Sequence, residues 1–487
     1  MITLLLLSAL SWAGPGSVAG YSGGFSTPDG GAVTAISRYG GGYAVILNEE
    51  PRLWYWDGAG TWSELDVIAD SGEAHALTIF KNNLYVGGHF ADADGSTFAL
   101  GVYKSTVGDT TAVLGPCAGS DCGTVYAMEP VDEMSALDGL WLGGADLVGD
   151  GTGAVWPVLQ LAPAGPDFLV RGGGLGNEAT GPADPTVYAL HYGLDPGYDT
   201  GSDAESMAAV GRFAEDLSYG IVRYHPFGTY PGDLDRDGWV PVGQGVIWSG
   251  YCPSVDGVAV VCADPELAGV AYFQGELYAS GSFVGVLPGL GASPVYVPGL
   301  LRWDGATFTA LSDGDAPVLE GFVGGHGPLL ADGDATLYIA SGNSLLTPER
   351  VGGLLRYDGA ELVGLQGGLW SLDPASADAS SAVAGDVEVL FLEDDGQLTI
   401  GGFFTFAGRL GADRYSSALL PASGLTQWMP DLACAADLNQ DGVVNTLDLS
   451  RLWTASDGEV GAVDQNADGA VDADDATLIE AAWGACP

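Results

Sequence analysis

Lysine is nearly absent from this chain: Lys81 and Lys104 are the two it has. Arginine does not make up the deficit. Lys+Arg total 14 against 63 Asp+Glu, a net charge of −49. A surface of that sign repels nucleic-acid phosphates and anionic lipid headgroups, so neither is expected as a partner. It attracts cations, calcium among them, and it keeps a protein soluble in salty water. Long apolar runs are also scarce. The opening "MITLLLLSALSWAGPGSVAG" holds one at residues 2–10, too short to span a bilayer. Ser11-x-Ala13 and Ser17-x-Ala19 place small residues as a signal peptidase needs, although the stretch before the apolar run lacks Lys and Arg. Residues 1–19 therefore read as a signal peptide. The mature protein is expected to be secreted, extracellular or at the cell surface, with no membrane insertion after cleavage.

Cysteine is sparse too. The six fall as sequence neighbours: Cys117 with Cys122, Cys252 with Cys262, and Cys434 with Cys486. An oxidising compartment suits disulfides, but six cysteines allow 15 connectivities, so local pairing is an expectation. No CxxC or mixed Cys/His spacing points to zinc. Also missing are GxSxG, HExxH, a P-loop and a GxGxxG opening a helix. His75, His89, His191, His225 and His326 are spread along the chain, so a histidine cluster would need a shared central channel. No catalytic residue is singled out, and the balance leans away from an enzyme.

What the chain has in excess is glycine, 78 of 487 residues, together with 13 Trp and 20 Tyr. That mixture suits short strands and tight turns rather than disorder, which lacks aromatics. The glycines recur in a phrase: "LYVGGHF" (84–90), "LWLGGAD" (140–146), "LYASGSF" (277–283), "LYIASGN" (337–343) and "LTIGGFF" (398–404), with "YAVIL" (43–47) and "MAAVGRF" (207–213) as looser copies. A second phrase follows: "LWYWDGAGTWSEL" (53–65), "LLRWDGATFTAL" (300–311), "LLRYDGAELVGL" (354–365) and, more weakly, "IVRYHPFG" (221–228) with "WVPVG" (239–243), and "ALLPASGLTQW" (418–428). A third precedes it: "AVTAI" (32–36), "AHALTIF" (74–80), "VYAM" (125–128), "VYALHY" (187–192) and "VEVLFL" (387–392). Asp-Gly between apolar strands marks a hairpin, and a type I′ turn is expected there. Each unit reads as four antiparallel strands, the pattern of a β-propeller blade. Seven such units fit between residues 20 and 431. Gly-Gly is expected where inner strands crowd, with Phe90, Phe283 and Phe403 packing between blades. These units resemble secreted bacterial kelch-like propellers. The resemblance implies fold and not activity.

The last 56 residues change character. "DLNQDGVVNTLD" offers Asp437, Asn439, Asp441, the Val443 carbonyl, Asn445 and Asp448, with Gly442 at the sixth position. "DQNADGAVDADD" offers Asp464, Asn466, Asp468, the Ala470 carbonyl, Asp472 and Asp475, with Gly469 likewise. Calcium takes six to eight hard oxygens, and alternate positions of such a loop supply them. Leu449, Leu452 and Trp453 after the first loop, and Leu478, Ile479, Ala482 and Trp483 after the second, have helical spacing. The second loop holds more carboxylates and is expected to fill first. "DLDRDGWVPVGQ" (233–244) shares the opening pattern but has Pro241 and Gln244 at later ligand positions, so an acidic blade loop competes with calcium there.

Paired loop-then-helix repeats with Asp at the twelfth position resemble a type I dockerin, an EF-hand-type calcium module, over residues 432–487. The resemblance implies a cohesin-like partner contacted through Thr446, Leu447, Ala473 and Asp474. The two pairs differ, which reduces the near-symmetry of the family. The flanking Cys434 and Cys486 read as a clasp.

The expected architecture is thus an all-β, seven-bladed β-propeller followed by a small α-helical, dockerin-like domain with two Ca2+ sites. The expected function is a binding or scaffold platform attached through that domain to a cohesin-like or surface protein, in a setting of extracellular polysaccharide breakdown. One alternative is a carbohydrate-active hydrolase or lyase with its site on the propeller top, shaped by insertions at 193–220 and 284–299. The other is a structural surface protein with calcium as a staple.

Overall fold

The computed structural model describes residues 17–18 and most of 21–428, in segments separated by loops of which 171–184, 226–237 and 372–382 are the longest omitted. Beyond residue 428 it describes only 443–444, 446, 449, 476 and 484–485. Among the described residues the fold is all-β. Seven four-stranded antiparallel units follow one another along the chain; one pairing, Ala145 with Thr186, joins the third and fourth into a single sheet, and Ser17–Val18 adds to the edge of the seventh. The inner strands are Val33–Tyr39, Ser71–Phe80, Thr124–Val131, Thr186–Leu194, Glu266–Phe273, Leu329–Asp332 and Asp386–Leu392. Each packs against the next, and the seventh returns to the first. The sheets therefore stand as blades around a closed ring.

Closure uses the N-terminus. Blade seven takes its inner, second and third strands from Asp386–Leu392, Leu398–Phe403 and Gly424–Trp428. Its outer strand is Tyr21–Ser26, with Tyr21 opposite Trp428. The phrase at 418–428 thus divides: Gly424–Trp428 belongs to blade seven, whereas Ala418–Pro421 pairs with Phe406–Arg409 in a small side sheet. The segment 193–220 is no insertion. It contains the second strand of blade four, Glu205–Glu215, and the start of the third, Ser218–His225. The segment 284–299 does interrupt blade five, with a short hairpin pairing Gly285–Val286 and Val295–Tyr296.

Apolar side chains fill the seams between blades. Trp141 of blade three is fully buried against Tyr224 and Trp239 of blade four. Tyr357 of blade six meets Phe273 of blade five, and Trp428 of blade seven meets Tyr338 of blade six. Arg223 is buried between blades four and five, paired with Asp195 and lying 4.5 Å over the Trp303 ring. A buried charge survives only with such partners. Phe90 and Phe283 lie in seams as expected, but Phe403 is half exposed and Phe404 is the buried residue. The aligned position is the second residue after the glycine pair, because strand alternation turns the first one outward.

The Asp-Gly hairpins form with a different turn from the expected type I′. The loops are 57–61, 304–307 and, as far as described, 358–360. Positive φ occurs at Gly58, Gly305 and Gly359 and not at the aspartates. Each Asp carboxylate instead accepts backbone N–H groups: Asp57 from Ala59 and Thr61 at 2.8 Å, Asp304 from Ala306 and Thr307, Asp358 from Ala360. The Thr61 side chain, then its backbone N–H and that of Ala59, hold the Asp57 carboxyl below its ordinary range, and the Thr307 and Ala306 N–H groups do the same for Asp304.

Candidate functional site: the channel mouth

One irregularity recurs near the start of the inner strands. The pairing register between first and second strands skips one residue, a β-bulge, between Val33/Ala35, Ala74/Ala76, Val125/Ala127, Val187/Ala189, Leu267/Gly269 and Val387/Val389. A bulge re-aims the extra side chain. The skipped residues are Thr34, His75, Tyr126, Tyr188, Ala268 and Glu388, and all six line one cavity of about 520 Å3. Pro328, just before the inner strand of blade six, lines it as well.

The glycine pairs sit opposite these bulges and explain themselves there. A Cβ on Gly88, Gly144, Gly281 or Gly402 would lie 2.0–2.2 Å from the carbonyl oxygen of Glu73, Thr124, Glu266 or Asp386 of the same blade. A Cβ on Gly87, Gly143 or Gly401 would strike Val125, Val187 or Val33 of the following blade. One glycine admits the bulge and the other admits the next blade.

The mouth has aromatic and acidic character. The His75 and Tyr126 rings lie 4.8 Å apart and the Tyr126 and Tyr188 rings 5.4 Å apart, tilted by 40° and 58°. They step across blades two, three and four. Glu49, Glu129, Glu266 and Glu388 line the same cavity. The His75 ring lies between Glu49, 3.3 Å from Nδ1, and Glu73, 3.5 Å from Nε2. Burial raises the Tyr126 and Tyr188 hydroxyls above their ordinary value, and Arg212 is near enough to oppose that shift on both. Burial, then the neighbouring Asp386 and Glu49, push Glu388 up to about 7.

Deeper in the channel Glu129 accepts the Tyr192 N–H at 3.2 Å, and its Oε1 lies 3.9 Å from Nδ1 of His191. Burial pushes Glu129 up to about 7 and His191 down to about 4. Between those values both are neutral, so they stand as uncharged neighbours and not as an ion pair.

Of the residues singled out in the sequence, His75 and His191 meet in this channel. His89 lies outside it, with Nδ1 3.2 Å from the Gly123 carbonyl. Among the described residues no three His, Cys, Asp or Glu side chains form a metal-binding group. The calcium-loop residues Asp437, Asn439, Asp441, Asn445, Asp448, Asp464, Asn466, Asp468, Ala470, Asp472 and Asp475 lie outside the described residues, as do Leu447, Ala473 and Asp474. Val443 is described: Val443–Val444 pairs antiparallel with Gly484–Ala485. Thr446, Leu449 and Ala476 have helical conformation. Cys122 is buried and disulfide-bonded, while the other five cysteines lie outside the described residues. Within 233–244, Gly238–Pro241 is the outer strand of blade four, paired with the third strand.

Apart from His75, the bulge residues at the mouth escaped the sequence reading. In five of the six a signal was present: the residue after the first Val or Ala of a "VxA"-like phrase is the bulge residue.

No known family model matches the chain, and no curated protein matches it. Solved structures do. YCF48 bound to D1 peptide has 12% identity and a TM-score of 0.43 over 83% of this chain and 96% of that one. The computationally designed Ika8 protein has 13% and 0.40 over 83% and 98%. Saccharomyces cerevisiae Sqt1 has 10% and 0.40 over 80% and 83%. At these values the likeness carries no argument, and the ring stands on this chain's own strand pairing.

Proposed function

We propose that the protein is a secreted binding platform that holds its ligand at the channel mouth and is attached elsewhere through its C-terminal calcium module. The observation that carries the reading is the convergence of the bulge residues from different blades on one cavity. Its volume falls in the range of small-ligand pockets, and its walls combine rings with carboxylates. The attachment half rests on the two calcium-loop sequences at 437–448 and 464–475 and their dockerin-like spacing. A cohesin-like or surface protein is its partner, and two Ca2+ ions shape the recognition surface.

The test uses the full chain, immobilised with calcium and exposed to the host's secreted and surface proteins and polysaccharides. A chelator should release a discrete protein, and high salt should then release material held by the propeller. Retention of nothing would refute the platform. Release by salt alone would leave calcium as a staple.

One observation favours a second reading as a carbohydrate-active enzyme. Glu388 keeps its proton up to about pH 7 and shares the mouth with Glu49. A protonated carboxyl beside a second carboxyl is the pairing glycoside hydrolysis uses. Polysaccharide turnover abolished by Glu388→Gln would establish that reading, and retention without turnover would remove it.

A further inference from the structure

The platform reading leaves open what the mouth holds. Its inventory is one-sided. Glu49 comes from blade one, Glu129 from blade three, Glu266 from blade five and Glu388 from blade seven, with Glu73 beside His75 and Asp386 beside Glu388. The resident cation near them is Arg212, on the side of Tyr126 and Tyr188. The His75 side chain is nine-tenths buried, yet its Nε2 has no hydrogen-bond partner. Glu49 is held at φ +57, a left-handed conformation that costs a non-glycine residue energy. Thr34 Oγ1 accepts its N–H at 3.1 Å, and its carbonyl accepts the Ala74 N–H at 2.8 Å. The backbone is thus tied so that a carboxylate stands at the rim between blades one and two.

We propose that the channel mouth binds an organic cation, the alkylammonium or guanidinium end of a lysine- or arginine-type group. Its charged end lies against the Tyr126 and Tyr188 rings and pairs with Glu49, Glu266 and Glu388. The chemistry is specific on both counts. A cation near aromatic rings gains from their negative faces, and carboxylates in a part-buried cavity pair with it more strongly than in water. A metal ion would gain from the carboxylates but not from the rings. A neutral sugar would gain from the rings but not from four carboxylates. The source of the cation is either a basic segment of a protein or a free amine. Seating it also favours loss of the Glu388 proton, against the field of Glu49 and Asp386 and beside Glu73, Glu266, His75 and Arg212.

The test is calorimetric titration of the full chain, in calcium and moderate salt, with tetralysine peptide, with its fully side-chain-acetylated counterpart, and with spermidine. Tetralysine should bind and the acetylated peptide should not. Comparable binding of spermidine would assign a free amine as source, and tetralysine alone a protein segment. Affinity for tetralysine should rise as pH passes through about 7. Tyr126→Phe with Tyr188→Phe should keep affinity within about threefold, whereas Tyr126→Leu with Tyr188→Leu should lose about tenfold or more. If the leucine variant fails to fold, Glu388→Gln reports in its place by removing the pH dependence. Equal binding of the acetylated peptide, or tetralysine binding undiminished in the folded leucine variant, would overturn the proposal. Binding of a neutral oligosaccharide at this mouth in place of the cation would overturn it too, while leaving the platform reading standing.

Discussion

Single residues decide whether the bulges can form. Gly144 has no room for a Cβ because the Thr124 carbonyl occupies the space, whereas Gly95 lies in an open turn at φ +82. Gly144→Ala should therefore cost on the order of 3 kcal/mol or more, an overpacking effect against rigid backbone. Gly95→Ala should cost about 1 kcal/mol, the left-handed conformation alone. Urea unfolding of both variants checks the difference. Glu129 has a pH signature. Its carboxyl is raised from an ordinary 4.5 to about 7, so the folded chain holds a proton that the unfolded chain has released. Its contribution to stability is thus fully present below pH 4.5 and lost as pH rises to about 7. His191, lowered from 6.5 to about 4, acts in the opposite sense. Glu129→Gln removes the first effect and keeps the second. The variant should match the parent at pH 4.5 and exceed it at pH 8 in melting temperature. Equal melting at both values would show that Glu129 is not desolvated.

At the level of strands, the repeat phrases in the sequence located the second strands of all seven blades, and in blades two, three, five and seven a glycine of the phrase faces the bulge. They also located the Asp-Gly hairpins. The turn type was not legible, since Asp57, Asp304 and Asp358 act through their carboxylates and dipeptide preference speaks only of backbone angles. Nor was the closing strand legible. "YSGGFS" carries too little alternation to show that it pairs with a strand 400 residues away, a contact set by ring closure. That strand gives an element-scale prediction. Both candidate signal cleavages, after Ala13 and after Ala19, leave Tyr21–Ser26 intact. A chain starting at Gly20 should melt with the full mature protein, and one starting at Pro28 should melt well below it. Equal melting would show that the ring does not depend on this strand.

Across the whole molecule, two parts divide the work. The ring draws its stability from blade seams such as Trp141 against Tyr224. The proposed C-terminal module is too short to bury much core and is expected to depend on calcium and its clasp. A chelator should therefore abolish the module's melting transition and leave that of the ring unchanged, while Asp464→Ala with Asp468→Ala should act like the chelator. A ring transition that moves with calcium would contradict that division. The mouth was the least legible feature. Thr34, His75, Tyr126, Tyr188, Ala268 and Glu388 span five residue types, and the skipped register brings them together. The measurement that reaches the central claim places a cysteine at Ala268, inside the mouth, or at Val107, exposed on an outer hairpin of blade two. Each carries a bulky maleimide adduct, and retention of the host's secreted proteins, polysaccharides and tetralysine is compared. The account predicts that the adduct at 268 abolishes retention by the propeller and the adduct at 107 does not. Undiminished retention with position 268 blocked would contradict it and move the search for function to another face.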